Sequence, residues 1–183
     1  MDYKEKLKSQ IKDAHGKLVY TYTTHQKQIE CDQFSDKWMK NTQIILSAVS
    51  TTGIMTSIIW SQKWLAIVSG IISAISLGLT LYAKEWNLCD KISKHNETVN
   101  ELWLLREEYV SLLTDLDNLE ENVIVVKRDD LMKRTSIIYK KAPRTSNKSY
   151  MMAQKALKQE EAQYFTQAEL DLLEPGHLRT NGE

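Results

Sequence analysis

Proline is nearly missing from this sequence, with only Pro143 and Pro175 in 183 residues. Nothing before residue 143 can therefore break a helix by removing an amide donor. Glycine is also scarce. The six glycines, at 16, 53, 70, 78, 176 and 182, never cluster beside a lysine as in a phosphate-cradling loop. Cys31 and Cys89 form no CxxC pair, and His15, His25, His95 and His177 are too dispersed to read as a metal motif. Paired carboxylates, Asp129 with Asp130 and Glu160 with Glu161, lie in charged stretches where a solvated face accounts for them. The chain is read as non-enzymatic, with no cofactor. Its 24 basic and 24 acidic residues cancel, which leaves no overall field to draw in nucleic acid and argues against direct nucleic-acid binding.

Charge is also absent locally. Residues 41–62 carry no formal charge, nor do residues 64–83, and Lys63 alone stands between them. Roughly 20 apolar residues cross about 30 Å of hydrocarbon at about 1.5 Å per residue, so both stretches are long enough to span a bilayer. The second, WLAIVSGIISAISLGLTLYA, is strongly apolar. The first, NTQIILSAVSTTGIMTSIIWSQ, holds many Ser and Thr residues, whose hydroxyls can bond back to the preceding turn. A soluble bundle with a buried helical hairpin would also be apolar all round, but core helices of that kind run nearer 10 to 14 residues. Trp60 and Trp64 bracket the turn, while Trp38, Tyr82 and Trp86 mark the other surface, as interfacial aromatics do. Lys27, Lys37, Lys40, Lys84, Lys91 and Lys94 flank the outer ends against Lys63 alone in the turn, so both termini are expected in the cytoplasm. The opening MDYKEKLKSQ is too charged for a signal-peptide core, and the first span is expected to act as its own insertion signal. Thiols at Cys31 and Cys89 would then stay reduced.

Two features of the spans bear on association. Ala66, Gly70, Ala74 and Gly78 recur every four residues as a smooth ridge, a helix-association face that serves either the hairpin itself or contacts between protomers. In the first span, about 100° of rotation per residue gathers Gln43, Ser47, Ser50, Thr51, Ser57 and Ser61 into one arc. Such an arc lines a polar pore if several hairpins assemble as a homo-oligomer, or holds helices together in lipid. No charge sits mid-membrane, which argues against a proton relay.

Beyond the spans, Leu88, Ile92, Val99, Leu102, Tyr109, Leu113 and Leu116 trace a heptad seam, with His95 and Arg106 at two of its positions. In the N-terminal segment, Leu7, Ile11, Leu18 and Tyr22 share a face on which this seam can pack. A basic tract follows. From Lys127 to Lys158 there are ten basic residues against Asp129 and Asp130. Lys127, Arg128, Lys133, Arg134, Lys140, Lys141 and Arg144 form a candidate patch for anionic lipid headgroups, ahead of a phosphorylated ligand or nucleic acid, if it is not merely a solvated face. The breaker APRTSNKS surrounds Pro143, and TQAE signals a last short helix capped by Thr166 and Glu169 and stopped by Pro175 and Gly176. The expected fold is an all-α membrane protein. It comprises an N-terminal helix (1–40), a transmembrane hairpin (41–83, spans 41–62 and 64–83), a long cytoplasmic helix (84–122) forming a coiled-coil-like stalk, and a basic tract with short C-terminal helices (123–183).

The YTYTTHQKQIE stretch at residues 20–30, the two closely spaced spans, the long following helix and the AELDLLEPGHLR ending resemble the SLATT domains, two-transmembrane modules of bacterial conflict systems. The resemblance implies an inner-membrane effector, thought to permeabilise the membrane when phage infection is detected. It also implies a partner encoded alongside, either a nucleotide synthase or sensor or a reverse transcriptase. No catalytic residues carry over, and with no sensor domain appended, activation is expected to come from a separate protein, RNA or nucleotide. The competing expectation is a membrane scaffold, whose hairpin anchors a helical stalk that recruits a cytoplasmic enzyme.

Overall fold

A computed structural model describes residues 2–61, 63–160 and 162–173, and among these it contains helices and no strand. Helix α1 runs unbroken over Tyr3–Ile59, 57 residues or about 85 Å at 1.5 Å per residue. Asp2 opens it with a capping box: its carboxylate accepts the Tyr3 amide at 2.7 Å, and its own amide donates to Glu5 at 3.2 Å. The β-branched stretch around Thr21, Thr23 and Thr24 stays helical. Each of these hydroxyls donates to the carbonyl four residues earlier, at 2.8 to 2.9 Å.

After the turn at Trp60 and Ser61, α2 (Lys63–Trp86) returns antiparallel along α1. Asn87 then takes a left-handed conformation, φ 41°, and α3 (Leu88–Asp115) continues in the same general direction. Asparagine tolerates that region better than most residues, so the expected long helix leaving the membrane is jointed at its start. A short 3-10 turn, Leu116–Asn118, reverses the chain into α4 (Glu121–Lys141). The Pro143 region breaks it, and α5 (Asn147–Lys158) lies across α1. Ser146 caps α5 by accepting the Ser149 amide at 3.2 Å. The last helix, α6 (Gln167–Leu173), carries the expected box: Thr166 and Glu169 exchange amide bonds at 2.8 and 3.4 Å. Pro175 and Gly176, expected to stop it, lie outside the described residues.

The core belongs to the extramembrane part. Leu7, Ile11, Leu18 and Tyr22 of α1 meet Leu102, Leu105, Tyr109 and Leu112 of α3, and Ile124, Leu131 and Ile138 of α4 close the cluster. The seam of α3 differs from the expected one in detail. Thr98, Leu105 and Leu112 are buried, whereas Val99, Arg106 and Leu113, each one residue further on, are half-buried. A helix packed by α1 on one side and α4 on another buries a wider stripe than a two-stranded coil. Arg106 consequently lies beside the seam, its guanidinium 5.7 Å from the Tyr22 ring and bonded to Glu107 and Gln163.

The apolar half is built differently. Only 11% and 6% of the most apolar windows of the two long helices is buried within the chain, and Ile58 and Ile71 are 72% and 58% exposed. A soluble core helix would hide these side chains, and a hydrocarbon solvent is what satisfies them. The chain is thus an all-α membrane protein with a two-helix transmembrane hairpin. Within the hairpin α2 turns Leu65, Ser69, Ile72, Ser76, Leu79 and Ala83 towards α1. On α1, Gly53 makes the close approach, since a Cβ there would collide with the Ser69 hydroxyl. Gly53→Leu should destabilise the hairpin by about 1–3 kcal/mol through overpacking, read as a lowered melting temperature in detergent, whereas Gly70→Leu should leave it unchanged.

Candidate functional site: the membrane hairpin and its neck

The two aromatic belts fall where a bilayer would need them. Trp60 and Trp64 are exposed at the turn, and Trp38, Tyr82 and Trp86 at the opposite end. From Trp38 to Trp60 the helix advances 22 residues, about 33 Å, against about 30 Å of hydrocarbon. The Tyr82 and Trp86 rings pack tilted at 49° with centroids 5.0 Å apart, and the Lys91 ammonium lies 4.7 Å from the Trp86 ring.

The ridge of Ala66, Gly70, Ala74 and Gly78 faces away from α1 and is exposed along its length. A Cβ added to Gly70 or Gly78 would meet nothing within 4 Å. The ridge takes no part in the contact between α2 and α1. That role falls to Gly53 and the serines, which no four-residue repeat marks. The alternating four and three spacing from Leu65 to Ala83 was the available signal.

The hydroxyl arc of the first span is divided. Ser50 is buried between the helices, donating to the Ser69 carbonyl at 3.0 Å and meeting the Ser73 hydroxyl. Gln43 and Ser57 are half-buried, and Ser57 donates to the Ile54 carbonyl at 2.8 Å. Ser47, Thr51 and Ser61 face outward, and Thr51 returns its proton to the Ser47 carbonyl at 2.9 Å. The polar surface left for another helix or for water is narrower than the arc.

The basic tract is partly spent on structure. Arg134 binds Glu108 of α3, with Asp130 at 3.6 Å, and holds the Glu108 carboxyl below its usual range. Arg128 bonds Gln10 of α1 at 3.0 Å and Asp129 at 2.7 Å. Lys127, Lys133, Lys140, Lys141 and Arg144 remain exposed. The membrane-facing end of α4 is fixed by a 3.1 Å contact between Tyr139 and Thr21. Thr21 precedes Trp38 by 17 residues, about 25 Å of helix, which sets the α4 cations well back from the aromatic belt along α1. Among the described residues no cluster of three or more His, Cys, Asp or Glu side chains could hold a metal ion.

Between belt and bundle lies a contact with no counterpart in the sequence reading. His25 of α1 and His95 of α3, each 3% exposed, face each other with their Nδ1 atoms 2.7 Å apart. Two ring nitrogens can share one hydrogen bond only if one ring donates and the other accepts. His95 falls in the α3 seam, and extending Leu18 and Tyr22 by alternating threes and fours reaches His25 and Ile29. Burial, and then the neighbouring His95, push the His25 pKa from 6.5 down to about 4. Burial also lowers His95, opposed by Asp32. The folded chain thus holds fewer protons than the unfolded one in that range, so stability is full above pH 6.5 and falls as pH drops towards 4. Unfolding followed across that window should show a loss that the double variant His25→Leu plus His95→Leu lacks, a difference on the order of 2 kcal/mol.

No curated protein and no solved structure matches the chain. One family does, and its description ties a two-transmembrane effector domain to SMODS and SLOG systems, in accord with the resemblance read from the sequence. The family model spans residues 7–169, from the first buried leucine of α1 to the capping glutamate of α6, and the chain belongs to the SMODS and SLOG-associating 2TM effector domain family 4.

Proposed function

We propose that this chain is a membrane effector of a bacterial anti-phage system, which oligomerises through its hairpins and permeabilises the inner membrane, leading to abortive infection. The observation that carries this reading is the outward ridge of Ala66, Gly70, Ala74 and Gly78. Its chain leaves a surface shaped for close helix approach unused. Lysines crowd the outer ends of the spans and only Lys63 sits at the turn, which supports placing both termini and the bundle in the cytoplasm. The trigger is assigned to a partner encoded alongside, a nucleotide synthase or sensor or a reverse transcriptase, acting on the bundle. Ser47 and Thr51 are the hydroxyls best placed to face a lumen once ridges meet.

A second reading, an anchor that recruits a cytoplasmic enzyme, is favoured by the exposed lysines of α4, which no ion pair among the described residues engages. It expects the hairpin to be replaceable by an unrelated anchor without loss of protection. The pore reading is tested by a voltage-sensitive dye in bacteria that express the chain with its genomic neighbours. Wild type should depolarise the membrane, and Gly70→Leu plus Gly78→Leu, at matched membrane levels, should not. Because a Cβ added at either glycine would meet nothing within 4 Å, a loss of activity would report assembly and not folding. No depolarisation by either form would overturn the pore.

A further inference from the structure

At the neck, where α1 passes the joint between α2 and α3, a groove of about 440 Å³ opens beside the aromatic belt. Phe34, Trp38, Tyr82 and Trp86 wall it with rings, Met39 and Leu88 add apolar surface, and Asp32 is the one charged residue in its lining. Asp32 is half-buried. One of its oxygens accepts the Gln28 amide at 2.9 Å, and the carboxylate has no ion-pair partner among the described residues. A half-buried carboxylate with no counter-cation beside it attracts one, and rings with exposed faces attract cations electrostatically. The groove is therefore complementary to an ammonium group carried on an apolar body.

Its level in the membrane says which one. Trp38, Tyr82 and Trp86 are the belt residues, so the groove begins at the headgroup layer and extends towards Asp32, six residues or about 9 Å further along α1. Lys91, already held 4.7 Å from the Trp86 ring, supplies a positive charge beside it. We propose that this groove is a phospholipid site for the zwitterionic headgroup of an ethanolamine lipid, with the primary ammonium bonded to Asp32 among the rings, the phosphate towards Lys91 and the acyl chains along the hairpin. The ammonium donates hydrogen bonds that the carboxylate accepts. Glycerol-headed anionic lipids offer no cation to Asp32 and are repelled by it. The proposal rests on insertion of the hairpin with these aromatics at the interface, and not on pore formation.

The test places the full chain in nanodiscs of equal phosphatidylethanolamine and phosphatidylglycerol with matched acyl chains, and counts lipids retained after release into detergent by native mass spectrometry. Wild type should retain the ethanolamine lipid over the glycerol lipid by on the order of tenfold, and Asp32→Asn, which keeps an oxygen for Gln28, should bring the ratio near one. Trp38→Leu removes a ring without touching the carboxylate and should lower the ratio also, which serves if the asparagine variant fails to fold. Equal retention by wild type, a preference unchanged in the variant that folds, or failure of the chain to enter nanodiscs would overturn the site. The readout is independent of membrane potential, so a chain that never depolarises cells can still pass it.

Discussion

The packing of α1 against its antiparallel return is the constraint from which the rest of the molecule follows. One helix about 85 Å long meets α2 inside the bilayer and α3 outside it, and the same alternating spacing of inward residues runs through both media. What fills the seam changes with the solvent. Outside, Leu7, Ile11, Leu18 and Leu102 are driven inward by water. Inside, lipid tails are as apolar as leucine and supply no such drive, so the helices meet through Gly53, Ser50 and Ser69, where close approach and a hydrogen bond do the work. The outward leucines and isoleucines of the hairpin are left to the lipid.

This division explains which parts of the molecule could be read from residues alone. The spans are legible because a run of uncharged residues of that length has few other uses, and the α1 face because water-driven burial leaves a sharp apolar periodicity. The ridge on α2 was legible as a surface but not as to its use. Four-residue repeats mark where a helix can be approached, and only the rotation of α2 about its axis, set by Leu65, Ser69 and Ile72, decides that α1 is not what approaches. Gly53 escaped notice because a single glycine among threonines carries no pattern.

Polar pairings were the least legible. Arg128 and Arg134 look like members of a free basic patch until α4 folds back and sets them against Gln10 and Glu108. The His25 contact with His95 joins residues 70 positions apart, and no local spacing specifies which tautomer donates. Long-range complementarity of this kind is a property of the assembled helices. The capping box at Thr166 is, by contrast, local chemistry that the TQAE spacing announces, whereas the box between Asp2 and Glu5 is equally local but is a finding of the structure.

The joint at Asn87 makes the two halves of the neck unlike. Helix α1 crosses from bilayer to bundle with its backbone bonds intact, whereas the return path is interrupted by one left-handed residue. Helix α1 therefore joins the bundle to the first span as one rod, whereas α2 meets the bundle through a joint and is held in its rotation by the contacts of Ser69 with Gly53 and Ser50. The facing of α2, and with it the direction of the small-residue ridge, is thus set by α1 and not by the helix that follows it.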